Sequence, residues 1–191
     1  MGKKKYQDAV EALFEQSPVV ESGSVNRIVG SSYARNLLQN LERQGRIYRL
    51  TKGYYTKHSE VSLIVFCFSP SYLGLQDAMS FHGIWEQESN PVVITAKGAR
   101  NGLRQTMGMN YVLHTINREY LFGYDLVKVG EFYLPYSDVE KTYIDMVYFN
   151  QSLDKQVLKE FLKRINKEKM SGYLKRYPKD FQRQVKIMTD F

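Results

Sequence analysis

The sequence is poor in cysteine, in histidine and in long apolar runs, and each shortage excludes a class of protein. Cys67 is the only cysteine and there are three histidines, so an internal disulfide and a cysteine-rich zinc site are both excluded. The longest apolar run, Leu63 to Phe68, has six residues, whereas a membrane-spanning helix needs about 20. The N-terminus lacks the apolar core of a signal peptide. We therefore expect a cytoplasmic protein with no membrane partner, no metal and no cofactor.

Positive charge, by contrast, is in excess. The chain carries 27 Lys and Arg against 20 Asp and Glu, for a formal net charge of +7. Residues 1–60 hold 10 basic against 6 acidic side chains, residues 61–150 hold 6 against 9, and residues 151–191 hold 11 against 5. Because the surplus lies at both ends of the chain, it favours a polyanionic partner at one or both of them.

Apolar spacing over the first sixty residues predicts three helices and a hairpin. A helical stripe begins at Tyr6, and Pro18 ends that helix near Ser17 because it disfavours helical backbone in the residue before it. A short helix follows around Ser24 to Ile28, and then a turn at Gly30. The third helix begins with Ser31 or Ser32 as its N-cap and ends before Gly45. The segments "RIYRL" and "YYT" then bracket "TKG", which predicts a hairpin. This order of elements is that of a winged helix-turn-helix domain.

The third helix has the properties of a helix that enters the major groove of DNA. Its apolar residues fall on one side, its other side is polar, and Glu42 is the only acid between residues 22 and 58, against seven Lys and Arg. Carboxylates would be repelled by phosphates, whereas Arg suits guanine and Asn or Gln suits adenine. We predict contacts to bases from Arg35, Asn36, Gln39 and Asn40, and contacts that bind phosphate or set the register from Ser32 and Arg43. On or near the wing, we predict contacts to phosphates or to the minor groove from Arg46, Arg49 and Lys52.

From about residue 59 the pattern changes to a mixture of strands and helices. "PVVITA", "NYVLHTI", "DLVKV" and "EFYLPY" are rich in Val, Ile and Tyr and predict strands. "LGLQDAMSFHGIW" predicts a short helix ending at Gly83, and Ser137 with Glu140 forms a capping box before another helix. Two or three basic helices follow, separated near Gly172 and Pro178. The fold class is therefore α+β: a winged helix-turn-helix in residues 1–58, then a mixed domain in residues 59–191 with a small β-sheet and C-terminal helices.

Three segments resemble the AbiEi family of antitoxins and transcriptional regulators. They are "YARNLLQNLERQGRIYRLTKGYYT", "SYLGLQDAMSFHGIWEQ" and "YLFGYDLVKVGEFYLPYSDVEKTYIDMVYF", and together they cover most of residues 24–149. The resemblance implies a repressor that binds double-stranded operator DNA upstream of its own operon. It also implies an antitoxin of a type IV toxin–antitoxin or abortive-infection pair. Such an antitoxin counters a nucleotidyltransferase-like toxin without requiring a stable complex with it, and a homodimer is compatible with this role.

Three other functions stay open at this point. The chain could be a winged-helix regulator without a toxin partner, or a winged helix used only for protein contacts. It could also be a metal-dependent DNA-processing enzyme with Glu140 or Asp145 at its metal. Against the enzyme, Glu140 and Lys141 are adjacent and should diverge, and Lys141 with Asp145 should pair at helical spacing. We therefore expect no enzymatic activity.

Overall fold

A computed structural model describes residues 2–189 and confirms the α+β class. The chain forms two compact units, the first running to Cys67 and including Arg104–Asn110, the second comprising Phe68–Leu103 and the chain from Tyr111 on. The sequence predicts a boundary between residues 58 and 59; the apolar run Val61–Phe68 that follows it is a largely buried 3₁₀-helix, which groups with the first unit up to Cys67.

The first unit contains three helices and a three-stranded antiparallel sheet. In chain order these are α1 (Gly2–Gln16), β1 (Val20–Glu21), α2 (Ser22–Val29), α3 (Ser31–Arg43), β2 (Tyr48–Thr51) and β3 (Tyr54–Thr56). The strand order is β1-β3-β2, so β3 lies between the other two. The predicted hairpin is present, and its two-residue turn is Lys52-Gly53, where Gly53 has a φ of 84° that few other residues adopt without strain.

The apolar side of α3 anchors it in the core of the first unit. Its buried residues recur at helical spacing and pack with buried side chains of α1 and α2: Ala34, Leu37, Leu38 and Leu41. The predicted serine cap is wrong, because Gly30 is the N-cap and Ser31 is already helical. The end is as predicted: the Gly45 amide donates to Glu42 and the Arg46 amide to Leu41, both at 3.0 Å, which together form a Schellman motif.

Residues 104–110 are distant in sequence from the rest of the first unit and bond directly to its sheet. The Thr106 side chain is buried, and its hydroxyl donates to the backbone carbonyl of Leu50 in β2 at 2.7 Å. This bond gives the Leu50 carbonyl, in the edge strand β2, a donor from residues 104–110. The first unit is therefore built from two separate stretches of sequence.

Most strands of the second unit belong to a six-stranded mixed sheet with the strand order β6-β7-β5-β4-β9-β8, of which residues 104–110, in β6 and β7, belong to the first unit. The pairs β4–β9 and β5–β7 are parallel, while β4–β5 and β8–β9 are antiparallel. The strands are β4 (Ser71–Leu73), β5 (Val92–Thr95), β6 (Gly102–Thr106), β7 (Met109–Thr115), β8 (Tyr124–Val129) and β9 (Phe132–Ser137). The helices are α4 (Leu75–Phe81), α5 (Val139–Tyr148), α6 (Lys155–Arg164), α7 (Lys167–Leu174) and α8 (Lys179–Thr189).

Helix α5 is the central helix of this unit, with every residue from Glu140 to Val147 buried. The predicted capping box is wrong, because Asp138 is the N-cap and its carboxylate accepts the Lys141 amide at 2.8 Å. The Ser137 hydroxyl instead lies 2.8 Å from the Thr142 hydroxyl. The basic C-terminal segment forms three helices, and the first break falls at Ile165 and Asn166 rather than at Gly172, which lies inside α7.

Candidate nucleic-acid interface

The polar side of α3 is fully presented to solvent. Every residue predicted there to contact DNA is exposed, opposite the buried apolar stripe: Ser32, Arg35, Asn36, Gln39, Asn40 and Arg43. Because the two sets alternate at helical spacing, packing of the apolar side fixes the direction in which the polar side faces. The helix therefore offers one continuous row of amide and guanidinium groups.

A shallow depression of about 220 Å³ marks the start of this row. It is lined by Ser31, Ser32, Arg35 and Asn36. Gly30 has no side chain that could cap the first turn of α3, so the amide groups there stay available to an acceptor such as a phosphate oxygen. Ser31 was not among the predicted contacts, since sequence alone places it outside the helix as a cap.

The β2–β3 hairpin adds a second group of cations. Arg49 in β2 and Lys52 at the turn are both exposed. Among the side chains that the structure describes, no ion pair engages either of them, nor Arg35 or Arg43 on α3. Their charges are therefore not compensated by a carboxylate of the described chain, and Glu42, the one acid of α3, is half-buried.

Arg46 differs from the other predicted residues. Its guanidinium lies 2.9 Å from the Glu11 carboxylate on α1, and both side chains are about half exposed. This ion pair joins the end of α3 to α1 across 35 positions of sequence. Arg46 therefore has a partner within its own unit, and the interface proposed below does not depend on it.

The residues that the enzyme alternative would use occupy a buried polar network on α5. The predicted pair of Lys141 and Asp145 is confirmed, and both side chains are fully buried. The Tyr72 hydroxyl donates to Asp145 at 2.7 Å, and the Lys141 ammonium donates to the Tyr177 hydroxyl at 3.1 Å. Burial lowers the pKa of Lys141 and raises the pKa of Asp145, and each shift is partly offset by the charge of the other group.

Glu140 faces the C-terminal helices. Its carboxylate accepts the Asn166 amide at 2.7 Å, at the start of α7, and lies 3.2 Å from the Lys169 ammonium. Asp138 lies 3.1 Å from the same ammonium. Among the described side chains, no group of three or more His, Cys, Asp or Glu is placed to hold a metal ion.

Comparison with known proteins shows a fold relationship. No family model matches the chain, and no curated protein matches it. Among solved structures, the chain is similar to the RV2827C protein from Mycobacterium tuberculosis, with a TM-score of 0.64 at 12% identity. The match covers 97% of this chain and 76% of that one. Between residues 2 and 189, no helix combines the length and apolarity that crossing a membrane requires.

Proposed function

We propose that the chain is a DNA-binding autorepressor and the antitoxin of an AbiEi-type toxin–antitoxin pair. The observation that carries the proposal is the exposed face of α3, where Arg35, Asn36, Gln39 and Asn40 stand opposite a buried apolar stripe. The element order from α1 to β3 is the one expected of a winged helix-turn-helix, with β2 and β3 as the wing. The proposed partner is double-stranded operator DNA, and the proposed location is the cytoplasm.

In this proposal α3 enters the major groove. Arg35 can make two hydrogen bonds to a guanine edge, and Asn36, Gln39 or Asn40 can do the same with adenine. Arg43 at the end of α3, and Arg49 and Lys52 on the hairpin, contact phosphates and fix the orientation of the helix in the groove. The amides of the first turn of α3, with the hydroxyl of Ser32, suit another phosphate. Binding of this kind needs no cofactor.

The antitoxin part of the proposal depends on the AbiEi resemblance in residues 24–149. The protein opposes a nucleotidyltransferase-like toxin encoded beside it, and repression of the shared operon matches antitoxin supply to toxin level. Co-expression with the neighbouring gene tests this part, and we expect the chain to restore growth that the toxin alone arrests. A neighbouring product that is harmless, or arrest that the chain does not relieve, would leave a plain regulator and contradict the antitoxin proposal.

The DNA-binding part predicts sequence preference in addition to charge attraction. We expect the full chain to bind its own upstream region about a thousandfold or more tightly than a scrambled duplex of equal length. Fluorescence anisotropy at two salt concentrations measures this, because phosphate contacts weaken with salt for both duplexes while base contacts distinguish them. Equal binding to both duplexes, lost in parallel as salt rises, would mean that the basic surface only attracts polyanions.

A further inference from the structure

A second hairpin lies beside the wing in the first unit. It consists of residues 104–110, in which a two-residue turn joins β6 to β7. The Thr106 hydroxyl, which donates to the Leu50 carbonyl of β2, also lies 3.4 Å from the carbonyl oxygen of Arg49. Leu50 is two residues before the wing turn, a distance of about 7 Å along a strand. The turn of the second hairpin, which follows Thr106 directly, is therefore a neighbour of the wing.

The sequence around the second hairpin is basic and contains no acid. Residues 89–118 carry four Lys and Arg and no Asp or Glu, although residues 61–150 as a whole hold nine acidic against six basic side chains. Such a segment suits a polyanion, because carboxylates near a phosphate backbone would be repelled. Arg104 brings part of this positive charge into the first unit, where Arg49 and Lys52 of the wing are exposed.

The turn of the second hairpin holds a methionine in a strained conformation. Met107 has a φ of 49° and Gly108 a φ of 77°, so both turn residues have positive φ, as in a type I′ turn. Asn-Gly or Gly-Gly is preferred there, because left-handed backbone brings a Cβ too close to the next carbonyl oxygen. Met109, directly after the turn, is 55% exposed. A strained methionine beside an exposed one points to a contact outside the chain.

From these observations we infer that the second hairpin is a second wing, whose turn contacts the minor groove of operator DNA beside the first wing. Methionine is among the apolar side chains that proteins insert between base steps in the minor groove, and glutamine can read the base edges there. Met107, Met109 and the exposed Gln105 supply these groups. The inference rests on the proposed DNA binding, and it adds a contact from residues that the sequence places outside the winged helix.

Photocrosslinking from single cysteines tests the inference in the full chain. Cys67 is the only natural cysteine and is buried, so a cysteine introduced at the surface can be labelled selectively with an aryl azide. The test variant is Met109→Cys, the positive control is Gln39→Cys on α3, and the negative control is Ser171→Cys at an exposed position of α7. On the upstream duplex we expect crosslinks from Met109→Cys and Gln39→Cys, at different nucleotides, and none from Ser171→Cys.

The controls separate failure of the inference from failure of the proposed function. If Gln39→Cys crosslinks while Met109→Cys behaves like Ser171→Cys, the second hairpin does not touch DNA and only the inference is wrong; a protein partner for the hairpin would give this result. If neither Gln39→Cys nor Met109→Cys crosslinks, the DNA-binding proposal and the inference both fall.

Met107→Gly distinguishes a DNA contact from a structural role. Gly-Gly suits a type I′ turn, so the variant should be at least as stable as wild type in urea. Because the side chain is lost, we expect binding to the upstream duplex to weaken about fivefold. The control is Leu162→Ala, which removes an exposed apolar side chain from α6 and should bind as wild type does. Unchanged binding by Met107→Gly, or equal weakening in both variants, would overturn the inference.

Discussion

Replacing Lys141 with methionine should lower the free energy of unfolding by about 3–5 kcal/mol, the usual cost of leaving one member of a buried ion pair without its partner. Methionine keeps the length of the side chain, so the loss comes from charge rather than from a cavity. Asp145 would stay fully buried with only the Tyr72 hydroxyl to stabilise it. Urea denaturation of wild type and variant measures the difference.

A double variant separates charge from packing. In Lys141→Met with Asp145→Asn, no charge remains buried, and the asparagine oxygen can still accept from Tyr72. We expect the double variant to be more stable than Lys141→Met alone. Lowering the pH should also reduce the difference in free energy of unfolding between Lys141→Met and wild type, because protonation of the unpaired Asp145 removes the buried charge. If the losses in free energy of unfolding caused by the two substitutions simply add in the double variant, the electrostatic explanation is contradicted.

Replacing Arg35 and Asn36 together with alanine should reduce the preference for the operator over a scrambled duplex by about a hundredfold or more, since each base contact contributes about 1–3 kcal/mol of discrimination. Both side chains are exposed and alanine favours helix, so the fold should be unaffected. The comparison is again made by anisotropy on both duplexes.

Arg183→Ala with Gln184→Ala is the matched control for that experiment. It removes one guanidinium and one amide from adjacent exposed positions of α8, so its net charge equals that of the α3 variant. The control should keep the wild-type preference. If the two double variants weaken binding alike, and on both duplexes, then α3 does not read sequence and the operator proposal is wrong.

The sequence predicted those helices, strands and turns that are determined by residues close together in the chain. The apolar spacing of α3, the glycine after its end and the Lys52-Gly53 turn all act within a few residues, so α3 and the β2–β3 hairpin follow from the sequence pattern. The strands rich in Val, Ile and Tyr were found for the same reason. Their order was not predicted, because the parallel pairs β4–β9 and β5–β7 join distant segments that no local pattern connects.

The wrong predictions at individual residues also arise from contacts between distant segments, which no local pattern shows. Ser137 and Glu140 have the spacing of a capping box, but Ser137 lies in β9, and the Glu140 carboxylate accepts a hydrogen bond from the Asn166 amide at the start of α7. The Lys141–Asp145 pair was predicted from helical spacing, whereas its hydrogen bonds to Tyr72 and Tyr177, which lie far away in sequence, could not be. A cleft beside Trp85 was not predicted, because its two walls, residues 83–87 and α6, are far apart in sequence.

The hydrogen bond from Thr106 to Leu50 affects how the first unit can be transferred between genes or separated from the rest of the chain. A folding unit is easily exchanged between genes when its residues are continuous, but here part of the first unit is encoded downstream of strands that belong to the second. A recombination that copied only the chain up to Cys67 would leave the Leu50 carbonyl at the edge of β2 without its donor. A gene transfer can therefore carry the first unit intact only if residues 104–110 go with it.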